Sequence, residues 1–230
     1  MKYVKVLVVV LFGMGLLACG VSENKESLEE NGRIVWEADV THDGEKELIC
    51  VDVEEIETDS QKPMKISVEK NQKELWSDEL YLPGAGNKEY FLLHEEDGDY
   101  LLYYYPENAQ GTAYFEYKKF YFKGEEMQVE ESKSVEFPTY ELAEGETIPV
   151  DDIVDFQETL NKNLQQGYLL ASTMDGKLIY STSNNKITKT EEFDAVFDSD
   201  VNFTYDKQGT DMKEKLLAFE KYLQEKNSYR

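Results

Sequence analysis

One short stretch concentrates the side chains that could do chemistry. Between Trp36 and Val51 the sequence sets oxygens at alternating positions, Asp39, Thr41 and Asp43, then Gly44, then Glu47 four residues after Asp43. Hard oxygen donors crowded into one bend suit calcium, which takes several oxygens and tolerates irregular angles. Gly44 stands where a sharp turn needs a residue tolerant of positive φ. The alternative reading of the same residues is a turn in which Asp39 and Asp43 accept backbone N–H groups. Three carboxylates so close would otherwise repel, which favours a bound cation. His42 lies inside the loop at a position whose side chain should point outward.

The other reactive residue types are sparse. His94 ends an apolar run and reads as a core-edge residue, and neither histidine sits in a zinc or nucleophile spacing. Cys50 lies within a strand and reads as a small buried hydrophobe. Asp151, Asp152 and Asp155 suit the start of a helix, where the dipole favours acids. The segment from Tyr100 to Phe122 is crowded with aromatics. It is either sheet core with amphipathic cover or a platform on which sugars stack. Its last part, Thr112–Phe122, carries aromatics on both faces, which calls for burial on both sides or for a partner surface.

The elements that must hold these residues are mostly strands. Ile34–Trp36 enters the loop and Leu48–Ile56 leaves it. Met64–Lys70 alternates as a half-buried strand does, Asn71-Gln72 turns, and Glu74–Ser77 returns. Tyr90–His94, Asp99–Tyr105, Thr112–Phe122 and Met127–Val129 follow, with Pro106–Gly111 as a loop and Lys123–Glu126 as a turn. Ile153, Phe156, Leu160 and Leu164 recur at helical spacing after Asp151, with Gly167 as the stop. Tyr168–Ala171 and Lys177–Tyr180 form a hairpin around Asp175-Gly176. Thr210 caps a last helix that carries Met212, Leu216, Phe219 and Leu223 on one face. The expected fold class is α+β, mainly an antiparallel β meander of about eight strands with two late helices packing on the sheet. The alternating βα pattern of two-lobed transporter binding proteins is missing, which weakens a substrate-capture role of that type. Residues 182–209 are polar and show no period.

Composition narrows the partners. The chain has 230 residues, 16 Tyr, 2 Trp and a formal charge of -24. Such a surface repels phosphate backbones, which argues against a nucleic-acid partner, and it disfavours plain adsorption to anionic lipid.

The first residues are a targeting segment: Lys2 and Lys5, an apolar run from Val6 to Leu17, then Ala18-Cys19-Gly20. The run is too short to span a bilayer and ends on a small residue, as cleaved signals do. Leu16-Leu17-Ala18-Cys19 resembles the lipobox of bacterial lipoproteins. That resemblance implies diacylglycerol on the Cys19 thiol, cleavage after Ala18, and anchoring on the extracytoplasmic side of a bacterial cell membrane. The domains are then 1–18 signal peptide, 19–32 lipidated cysteine with a polar spacer, and 33–230 a single α+β domain. The cleaved chain keeps 22 basic and 48 acidic residues, or -26. With Cys19 acylated, Cys50 has no cysteine to pair with, so core packing or metal must stabilise the domain.

The loop also bears a family likeness. An EF-hand would need a bidentate Glu at the twelfth position from Asp39, and that position is Cys50. Asp39-x-Thr41-x-Asp43-Gly44, followed by acids and an apolar strand, is similar to the calcium loops of FG-GAP and VCBS-type repeats. The resemblance implies side-chain oxygens from Asp39, Thr41 and Asp43, the carbonyl of Glu45, and a closing carboxylate from Glu47. Those families repeat the motif and this chain has it once, so the likeness extends to the loop alone. The functional expectation is a lipid-anchored, non-catalytic binding or envelope-interaction module with a protein or glycan partner at the cell surface. An envelope- or polysaccharide-acting hydrolase and a transporter's substrate-capture lipoprotein are the alternatives.

Overall fold

In the computed structural model the described residues are 33–53, 64–81, 88–164, 167–173, 179–180 and 212–227. The expected signal segment, Cys19, the expected spacer, residues 54–56, the expected turn at Asp175-Gly176, residues 182–209 and Thr210 lie outside them.

The first four strands form one antiparallel sheet in chain order: β1 (Arg33–Ala38), β2 (Glu47–Val53), β3 (Met64–Lys70) and β4 (Lys73–Leu80). A second sheet holds β5 (Glu89–Glu95), β6 (Gly98–Ala109), β7 (Thr112–Lys123) and β8 (Glu126–Pro138), again in chain order. It is extended past β5 by β9 (Gly167–Ser172) and β10 (Ile179–Tyr180). Two helices, α1 (Val150–Leu164) and α2 (Met212–Asn227), complete the described fold. It is α+β, as the strand and helix periods imply, but two stacked sheets replace the single meander. Helix α1 precedes β9, in the order that the helical spacing and the following Tyr168–Ala171 strand imply.

Period-two alternation builds the layers. Along β5, Phe91 and Leu93 point to one core while Tyr90 and Leu92 point to the other. The first core takes Tyr104, Phe115 and Tyr117 from the large sheet and Ile153, Phe156, Leu160, Leu216 and Phe219 from the helices. The second joins Leu101, Phe120 and Phe122 to Ile49, Val51, Ile66 and Val68 of the small sheet. Each such side chain, once fully buried, contributes roughly 1.5–3 kcal/mol. The middle layer is therefore aromatic on both faces because both are covered, though only partly on the small-sheet side.

Several local expectations changed. Pro106–Ala109 is strand, with Pro106 opposite Phe115, and the turn shrinks to Gln110-Gly111, both at positive φ. Asn71 and Gln72 turn as anticipated, both left-handed. Gly167 opens β9 and does not stop a helix; its bare backbone lies against Leu93. Strand β8 runs nine residues past Val129 as a polar edge, where charges discourage pairing with other chains. The ladder from β7 to β8 slips beside Lys119 and Phe120, leaving Glu130 without an opposite residue. Such a bulge re-aims side chains. Glu131 bonds Tyr117 on the helix side, whereas Met127, beyond the slip, faces away from the helices.

Candidate functional site

Two regions gather polar and aromatic groups. The first is the oxygen-rich loop. Its backbone is shaped from within: Asp39 accepts N–H bonds from Asp43 through Oδ1 at 3.1 Å and from Gly44 through Oδ2 at 2.9 Å. Asp43 Oδ1 accepts from the Glu45 N–H at 3.0 Å. His42 and Gly44 both take positive φ, 56° and 87°, to make the bend. Asp39 is thus a turn-forming residue, the alternative that its position left open.

Lys70, at the end of β3, supplies a positive charge to the rest. Its ammonium lies 2.9 Å from Glu47 Oε1, 3.2 Å from Thr41 Oγ1 and 3.7 Å from Glu45 Oε2, and it donates to Asp43 Oδ2. Glu47 is fully buried, and it also accepts from the Thr41 N–H and hydroxyl, each at 3.0 Å. The bonds to Asp43 and Glu47 raise the Lys70 pKa, and the bond from Lys70 holds the Asp43 carboxyl below its usual range. The structure brings Thr41, Asp43, Glu45 and Glu47 together and leaves Asp39 turned to the backbone. As arranged, this donor set fits an ammonium, and calcium at the same place would require Lys70 to withdraw. Among the described residues no group of three or more His, Cys, Asp or Glu side chains is arranged as a metal site.

The loop is also the joint between the sheets. Val40 O accepts from Phe122 N at 2.8 Å, and the Asp39 N–H donates to Asp99 Oδ2 at 2.7 Å. His42 does not point outward. Its ring stacks on Tyr121 at 4.5 Å, meets Tyr100 edge-on at 4.8 Å, and bonds Asp99 O through Nε2 at 2.9 Å. It fits because residue 98 is glycine: a Cβ there would stand 2.5 Å from the imidazole. His94 Nδ1 lies 2.5 Å from Asp99 Oδ1, so both histidines of the chain converge on one aspartate. Burial pushes the Asp99 pKa up, but the His94 bond and charge and the Asp39 N–H outweigh it, leaving the carboxyl below its ordinary value. Cys50 is buried, and burial pushes its thiol up.

The second region is a groove of about 340 Å³ where β4 meets the outer face of β5–β7. The small sheet covers Leu92, Leu101, Phe120 and Phe122 on that face and leaves Tyr103 only partly buried. Trp76 and Tyr103 are half-buried there over Tyr90. Ring centroids run Trp76 to Tyr90 at 5.6 Å, Tyr90 to Tyr103 at 5.3 Å, Tyr103 to Tyr105 at 6.4 Å and Tyr105 to Tyr114 at 6.4 Å. Two ion pairs border the rings: Lys88 with Asp78 at 2.8 Å and Lys118 with Glu116 at 2.7 Å. The Tyr90 hydroxyl donates to Asp78 at 2.8 Å. Burial first, then Asp78, raises the Tyr90 phenol; burial and Glu116 do the same for Tyr103. Both phenols therefore stay protonated and able to donate. Met127 lies along the opposite side of the groove.

The aromatic crowding of Tyr100–Phe122 pointed to this face, but its partners on β4 and before β5 were missed. No local pattern links Trp76, Asp78 and Lys88 to Tyr103; only the stacking of two sheets does. Lys70 carried a usable signal. Leu48 pairs with Glu69, so one step along the ladder sets Glu47 beside Lys70. No family model, no curated protein and no solved structure matches this chain.

Proposed function

We propose that this chain is a lipid-anchored, extracytoplasmic, non-catalytic binding module of a bacterial envelope, and that the groove between the two sheets is its binding face. One observation carries the binding face: the groove turns half-buried rings and ion pairs toward solvent beside a fully packed core, the mix of apolar floor and few polar groups that ligand sites use. The lipobox-like Leu16–Cys19 stretch supports the anchor. In this reading the loop fastens one sheet to the other with Lys70 as its cation. A hydrolase would draw its acid and base from Asp78 and Glu116, and each of these is instead engaged by a lysine.

Two experiments test the proposal. Cys19→Ala is expected to move the protein from the membrane to the soluble fraction, and unchanged retention overturns the anchor. A photo-crosslinking residue at Met127 is expected to capture an envelope component that the same residue at Glu144, in an exposed turn, does not. Equal capture at both positions, or none at Met127, overturns the groove as the binding face.

A further inference from the structure

We infer that the groove takes a neutral glycan, an inference that rests on the groove being the binding face and adds the ligand's class. The charges select the class. The chain carries 48 acidic and 24 basic residues, yet the groove holds two of each, already paired. An anionic ligand would meet Asp78 and Glu116 inside a strongly negative molecule. A cationic ligand would have to displace Lys88 and Lys118 from those carboxylates. A purely apolar ligand would strip water from four charged groups without replacing its hydrogen bonds.

A neutral polyol needs none of these exchanges. Its hydroxyls donate to the remaining lone pairs of Asp78 and Glu116 and accept from Lys118 while both ion pairs persist. Its C–H faces lie on aromatic rings, and the rings are suitably placed. Tyr103 and Tyr105 are two positions apart on β6, on one face of the strand, with planes only 7° from parallel. Tyr114 continues the strip and Trp76 closes its other end. A strip of successive rings fits a chain of sugar units better than a single one. The Tyr103 hydroxyl, kept protonated, adds a donor on the floor.

The test uses the full chain in detergent and the emission of Trp76, with cello-, malto-, manno- and chito-oligosaccharides as probes. At least one neutral series is expected to shift the emission saturably, and Trp76→Phe is expected to abolish the shift while buried Trp36 stays silent. Tyr103→Ala is expected to weaken binding about tenfold or more, with the melting curve showing that the fold is kept. Binding is expected to be the same at low and high salt, since a neutral ligand has no long-range charge to screen. No response to any neutral series, a response unaltered in Tyr103→Ala, or a response confined to charged oligosaccharides and lost with salt overturns the glycan. The Met127 crosslink separates this failure from the broader one: a captured species that protease destroys and glycosidases spare keeps the groove and overturns the glycan.

Discussion

The loop at Asp39–Glu47 and the groove at Trp76–Lys118 both pair lysines with acids, and they differ in what lies beside the pairs. In the loop the acids are bonded within the loop itself or to Lys70, with Glu47 buried and Asp43 and Glu45 at an exposed rim. Asp39 holds backbone N–H groups, Asp43 and Glu47 hold Lys70, and His42 is packed against the other sheet. In the groove the ion pairs lie at the border of half-buried rings; Lys88 also donates to Glu79 O and Asp78 also accepts from Tyr90, while Lys118 and Glu116 hold one another. A polar cluster that ties two sheets together stabilises; one set beside partly open rings can bind. Acid-rich motifs draw attention in a sequence, but here the quieter aromatic face is the better candidate for recognition.

The comparison can be broken most forcefully at Lys70. Lys70→Met leaves the fully buried Glu47 carboxylate without its counter-charge, and stranding one partner of such a pair costs about 3–5 kcal/mol. For a chain of this size that is a fall in melting temperature of roughly 10 °C. A loss no larger than that of a surface lysine would show that the loop does not depend on its internal cation.

Gly98→Ala comes next. The new methyl would meet the His42 ring at a residue with φ of 149°, and the overpacking should cost about 2 kcal/mol in urea unfolding. The cost should shrink in a His42→Ala background, and equal costs in both backgrounds would remove His42 from the joint.

Asp99 gives the pH dependence. Its folded pKa is below the unfolded value of about 3.9, so its contribution is complete above that value and is lost as pH falls through the lower folded one. The stability difference between the natural chain and Asp99→Asn should therefore narrow as the pH falls below about 4. A difference that widens on acidification would reverse the sign.

The smallest effects belong to the groove. Glu116→Gln and Lys118→Met should each change stability by less than about 1 kcal/mol, as half-exposed ion pairs do. A larger loss would make the groove a structural element like the loop.

Much of the fold was legible because alternation and helical spacing are local. Met64–Lys70 and its left-handed Asn71-Gln72 turn, the aromatic strands, and the buried Leu216, Phe219 and Leu223 follow from period alone. The split into two sheets was not legible, since nothing in β4 or β5 says that one sheet ends and another starts. Nor was the length of β8, whose polar edge shows no apolar period. For the loop, the donor list lies in one stretch, whereas its cation needs the β2–β3 register to be found, because Lys70 arrives from the neighbouring strand. His42 was misplaced for the same reason: its ring answers to Gly98, Tyr100 and Tyr121, more than fifty residues on.

The most direct measurement is the melting temperature of the full chain with millimolar calcium and with chelator. A loop already closed by the Lys70 ammonium gives the same value in both, since an ion that does not bind the folded state cannot stabilise it. A rise of several degrees with calcium, reversed by chelator, would mean that the ion displaces Lys70 and that the loop is a metal site after all.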